Sequence, residues 1–148
     1  MIGALCLVNG CGGSPDPKPI SCTLVDCTGN DVKLLLVDEA GDAVLARGEL
    51  RGTHRQTQAF DCTVAPDPNH TGLDCDHSSL LIGPVHNDDD SFDIRFEFED
   101  ESFTDWIPVA LTIEKNPIAD FNGPGCDCTQ LNGSAMPVTV PPAAQLPE

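Results

Sequence analysis

The chain has 148 residues with 24 acidic side chains against 7 basic ones, a net charge of −17. That length fits one domain with a single core. So acidic a surface repels nucleic-acid phosphates and anionic lipid headgroups, which excludes nucleic acid as a partner and suits a solvated exported body, multivalent cations or a basic partner. Eight cysteines, 13 prolines and 13 glycines add a second constraint: many turns, and cross-linking wherever the surroundings oxidise.

The first ten residues are apolar but too short to span a bilayer, and no run of about 18 apolar residues follows anywhere. Leu7-Val8-Asn9-Gly10-Cys11 reads as the end of a bacterial lipoprotein signal, with a small residue before the cysteine and an aliphatic one three before it. Residues 1–11 are therefore expected to be the end of a signal segment that starts further upstream, with Cys11 as the lipid-attachment residue. Gly12-Gly13 follow, with no aspartate to suggest inner-membrane retention, so the expected address is the outer membrane of a bacterial envelope. Residues 12–20 contain three prolines in five positions and read as a flexible tether.

The domain body is expected over 21–140. Val32 to Val37 is a nearly continuous aliphatic run and predicts a strand buried on both faces. Asp38-Glu39-Ala40-Gly41-Asp42 predicts a hairpin turn in which Gly41 takes a positive φ, followed by a strand from Ala43 to Leu50. Gln56 to Val64 and Ser78 to Ile82 are further strands around a loop beginning at Pro66. The clearest signal is Phe92, Ile94, Phe96 and Phe98 alternating with Asp93, Arg95, Glu97 and Glu99, one face apolar and the other charged. Val109, Leu111 and Ile113 repeat the alternation after Pro108, which belongs at a sheet edge or bulge. Thr129 to Val140 completes the series, and 141–148 is expected to be a disordered tail. No segment has a helical period. The fold class predicted is all-β, an antiparallel β-sandwich, immunoglobulin-like or transthyretin-like, stapled by disulfides. A small barrel gives the same pattern.

Six cysteines remain once Cys6 and Cys11 are set aside: Cys22, Cys27, Cys62, Cys75, Cys126 and Cys128. Cys62 ends one strand and Cys75 precedes another, so they are natural partners, closing a loop whose restraint of the unfolded chain is worth roughly 3 kcal/mol. Cys22 and Cys27 precede the first strand; Cys126 and Cys128 precede the last. Pairing the two groups joins the chain's ends, in an order that their positions leave open. The competing chemistry is zinc held by Cys-x4-Cys and Cys-x-Cys, set against the tendency of exported thiols to oxidise.

These stretches carry a likeness. Cys22-Thr23-Leu24-Val25-Asp26-Cys27 before an aliphatic strand, Phe60-Asp61-Cys62, Leu73-Asp74-Cys75-Asp76 and Asn122-Gly123-Pro124-Gly125-Cys126 resemble uncharacterised cysteine-rich lipoproteins of myxobacteria and their relatives, over most of residues 20 to 140. The chain departs from that group in Phe121, where proline is usual, and in its short Cys-x-Cys. The resemblance implies anchoring and an all-β body and assigns no activity.

For chemistry, no cofactor is expected unless it is calcium, for which Asn87, Asp88, Asp89 and Asp90 offer oxygen ligands without the spacing of the well-defined calcium loop. Asp74, Asp76 and His77 are a second candidate metal group. His77, Ser78 and Ser79 adjoin without the separation that a catalytic triad needs, and no phosphate-binding or zinc-peptidase motif occurs. Trp106, with Phe103 nearby, either fills core, stacks on a sugar or marks a protein contact. The expectation is a non-enzymatic binding or structural module, joined to a membrane by its lipid and to an envelope protein or glycan. Its alternatives are an envelope hydrolase with a loop-assembled site and a calcium-dependent adhesion module.

Overall fold

The structure, a computed structural model, describes residues 27–65 and 73–147. The expected lipid site Cys11, the tether, Cys22 and most of the loop after Pro66 lie outside them. The chain is all-β: ten strands and one 3-10 turn, with no α-helix among the described residues. The strands are β1 (Asp31–Val37), β2 (Arg47–Gly52), β3 (Arg55–Asp61), β4 (Asp74–Asp76), β5 (Ser79–Pro84), β6 (Phe92–Phe96), β7 (Ile107–Pro108), β8 (Leu111–Ile118), β9 (Cys128–Ala135) and β10 (Val138–Thr139). They form one sheet ordered β10-β1-β5-β4, another ordered β3-β2-β6-β7, and a β8-β9 ribbon.

Two expectations about pairing are corrected. β10 runs parallel to β1, Leu36 opposite Val138, so the first sheet is mixed and not antiparallel throughout. The turn at 38–42 forms, with Gly41 at φ 90° and the Asp38 carboxylate accepting the backbone N–H groups of Ala40 and Asp42, yet it does not close a hairpin. Only a bridge from Val37 to Ala43 pairs its two sides. The chain then crosses into the other sheet, so the strand expected from Ala43 begins at Arg47.

β1 is buried on one face, not two. Val32, Leu34 and Leu36 are fully buried while Leu35 is 47% exposed. An aliphatic run cannot distinguish these cases, because a solvent-facing Leu costs a strand little. β6 follows its sequence pattern: Phe92, Ile94 and Phe96 point inward, and Asp93 and Arg95 lie outward. Pro108 lies in β7, the outermost strand of its sheet, where a missing N–H breaks no ladder. The last segment splits into β9 and β10. The tail expected to be disordered instead makes a 3-10 turn over Pro142–Ala144, buries Ala144, and bridges Leu146 to Leu45.

Side chains of both sheets belong to one apolar cluster, with Leu34, Leu36, Leu80 and Ile82 from the first sheet and Leu50, Phe60, Ile94 and Phe96 from the second. The Phe60 and Phe96 rings meet edge to face at 6.3 Å. Among the described residues, the sheets are also joined outside the core by hydrogen bonds and a disulfide. The backbone N–H of Leu73 donates to Ala59. The Cys62–Cys75 disulfide links the end of β3 to β4. The Arg55 guanidinium, on β3, donates to the carbonyls of Ile82 and Pro84 on β5.

The Cys27–Cys128 disulfide spans 101 residues and fixes the segment before β1 against β9. There Asn30 donates through Nδ2 to Gly133, and Gln130 donates to the carbonyl of Thr28. A Cβ at Gly29 would lie 1.7 Å from the Leu131 carbonyl oxygen, so only glycine permits this approach. Cys126 is also disulfide-bonded; the expected contribution of Cys22 lies outside the described residues.

Candidate functional site

Among the described residues, three places bring chemistry-bearing side chains together. The first is at one end of the molecule, where the turn between β2 and β3 meets the crossover from β5 to β6. Thr53 is held to Ser91 through its backbone N–H to the carbonyl at 3.0 Å, through hydroxyl to hydroxyl at 2.5 Å, and by a longer hydroxyl-to-carbonyl contact at 3.5 Å. That attachment places His54 beside the crossover, with Nε2 3.2 Å from Asp89 Oδ1 and 4.0 Å from Asp90 Oδ1. Asp90 is turned inward, its Oδ2 accepting the backbone N–H groups of His86 and Asn87 at 2.8 and 3.1 Å. Partial burial raises its pKa, but these hydrogen bonds outweigh it and hold the carboxyl below the usual range.

The expected calcium ligands are thus divided. Asp90 stabilises its own loop, Asn87 faces it through Nδ2 at 3.5 Å, and Asp88 is drawn away to the Lys115 ammonium on β8. Asp89 joins Asp90 and His54 instead, the three ligand atoms within 4.8 Å of one another. No other group of three or more His, Cys, Asp or Glu side chains converges so among the described residues. His54 was absent from every sequence-based grouping because 35 residues separate it from Asp89. The second expected metal group does not assemble: His77 meets Asp76 at 3.1 Å, and both are almost fully exposed.

The second place is the outer face of β2 and β6. Glu49 lies opposite Arg95, and Arg51 opposite Asp93, in the ladder register, and each pair is hydrogen-bonded. Arg95 lies 4.3 Å over the Phe103 ring and 4.6 Å over Trp106, while Arg51 lies 4.3 Å over Trp106. Trp106 is half-buried under two guanidinium groups. It neither fills the core nor offers a bare ring for a sugar.

The third is a cavity of about 710 Å³ beside the Cys62–Cys75 disulfide, with Val44, Leu45, Val64 and His77 among its walls. Its lining is largely apolar, and among the described residues no serine hydroxyl there is hydrogen-bonded to a histidine. Of the cysteine expectations, Cys62–Cys75 forms as read from position, and the terminal groups are joined through Cys27 and Cys128.

The chain matches no known protein family, no curated protein and no solved structure.

Proposed function

We propose that the protein is an exported, lipid-anchored β-sandwich that serves as a non-enzymatic binding or structural module of a bacterial cell envelope. The observation that carries this reading is the placement of the disulfides. Cys62–Cys75 joins strands of different sheets, and Cys27–Cys128 ties the start of the described body to its last ribbon. Such cross-links form and persist in oxidising surroundings. One core cluster shared by two four-stranded sheets supports the sandwich arrangement. The apolar segment ending at Cys11, and the likeness to cysteine-rich lipoproteins, support the anchor.

On this reading Cys11 carries the acyl chains, residues 12–20 span the distance from the membrane, and the β body presents an acidic, ion-paired surface to its partner. The test is expression from the native gene in a bacterial host, with metabolic labelling by a fatty acid. Label is expected in the wild type and absent in Cys11→Ala, with no free thiol among the six body cysteines of recovered protein. An unlabelled wild type, or six free sulfhydryls, overturns the reading.

A further inference from the structure

We infer that His54, Asp89 and Asp90 form a binding site for a divalent cation of zinc-like character, which shares Asp89 and Asp90 with the calcium loop that the sequence suggests but differs from it in His54 and in metal. Two segments far apart in the chain supply the ligands, and the molecule already holds both in place. The turn carrying His54 is attached to Ser91 by the Thr53 hydrogen bonds, and Asp90 is fixed by two backbone amides on Oδ2. Oδ1 of Asp90, which also accepts a long hydrogen bond from Asn87 Nδ2 at 3.5 Å, is the oxygen nearer His54.

The distances suit a small ion. With metal–ligand bonds of about 2.1 Å, tetrahedral ligand atoms lie about 3.4 Å apart. The separation from His54 Nε2 to Asp89 Oδ1 is already 3.2 Å and that to Asp90 Oδ1 is 4.0 Å, with all three ligand atoms within 4.8 Å, so the exposed His54 and Asp89 side chains must draw inward on the ion. The charge also matches. Among the described residues the only basic side chain within ion-pair distance of Asp89 and Asp90 is His54; Lys115 engages Asp88, and Arg55 donates to carbonyls of β5. A divalent ion neutralises the two carboxylates and accepts the imidazole lone pair, leaving outward positions to water. Calcium fits poorly, because it takes 6–8 oxygen ligands at longer distances, whereas zinc readily combines imidazole with carboxylate.

This inference goes beyond the envelope-module reading and does not depend on the anchor. It is tested on the full chain by calorimetric titration with Zn²⁺, and separately with Ca²⁺. One equivalent of Zn²⁺ is expected, with the His54 imidazole resonances shifting on addition. His54→Ala and Asp89→Asn should each weaken binding by about 10-fold or more, while His77→Ala, which removes an exposed histidine also beside an aspartate, leaves it unchanged. Both altered positions are exposed, and unfolding midpoints without metal show whether the variants are folded. No saturable Zn²⁺ binding, undiminished binding in His54→Ala, or Ca²⁺ binding as tight as Zn²⁺ each overturns the proposal. Failure of fatty-acid labelling at Cys11 leaves it standing, so the two readings fall separately.

Discussion

Arg55 on β3 donates through Nη2 to the carbonyl oxygen of Pro84 at the end of β5, 2.5 Å away, so a charged side chain of one sheet completes the backbone of the other. Its Nη1 reaches Ile82, and its guanidinium lies 5.5 Å from the Phe92 ring. Replacing it leaves two carbonyls in a partly buried setting without their donor. Arg55→Met is expected to lower unfolding free energy by about 2 kcal/mol, read by urea denaturation with unchanged slope. A loss within error of zero would show that the two sheets do not rely on this link.

The Cys62–Cys75 bridge closes a loop of 13 residues in sequence separation. The double variant Cys62→Ser, Cys75→Ser is expected to lose roughly 3 kcal/mol. Non-reducing peptide mapping should recover Cys62 with Cys75 and Cys27 with Cys128. Recovery of Cys27 with Cys126 would contradict the arrangement of the chain along β9.

Asp88 lies well placed for Lys115, whose hydrogen bond and positive charge hold its carboxyl below the usual range. A carboxyl depressed in the folded state stabilises the fold above its unfolded pKa, and that contribution is lost as pH falls through the folded value. Asp100, held down by the hydroxyl and backbone N–H of Ser102, follows the same sign. Both contributions are therefore complete at neutral pH and disappear in acid, below the ordinary carboxylate range. In Lys115→Met the Asp88 titration should return toward that range while Asp100 is unmoved, measured by carboxyl carbon shifts against pH. An Asp88 midpoint equal in both proteins would remove Lys115 as the cause.

Arg95 lies over both Phe103 and Trp106 while paired with Glu49. Trp106→Leu keeps apolar bulk but removes the ring, and should cost about 1 kcal/mol. The Arg95 side-chain protons, shifted upfield by the ring, should move downfield in the variant. Unmoved Arg95 signals would mean that the stack does not persist in solution.

Local patterns were legible in the sequence; relationships between distant segments were not. Alternation from Phe92 to Phe96 marks β6 because side-chain direction in a strand has period two. The 38–42 turn was visible because Asp38 and Gly41 have the chemistry such a turn requires. Cys62 and Cys75 are close enough along the chain for position to suggest their pairing. What the turn joined was hidden: residues 38–42 look alike whether the chain returns beside β1 or passes into the other sheet, and here it passes. The burial of one face of β1 was masked by Leu35, as aliphatic as its buried neighbours. For the candidate site, Asp88 to Asp90 were visible as a cluster, but Lys115, 27 residues on, takes one of them away. His54 joins the others only because Thr53 is bound to Ser91, a contact that no spacing rule encodes.

β1 lies between β5 and β10, and β10 is drawn from residues more than 100 positions later. The end of β1 at Leu36 and Val37 therefore lacks this partner until almost the entire described chain has emerged. Distant pairings of this kind slow folding and leave adhesive intermediates. The parallel partner thus caps the end of β1 last, and a polypeptide shortened before Val138 keeps that end exposed for longer.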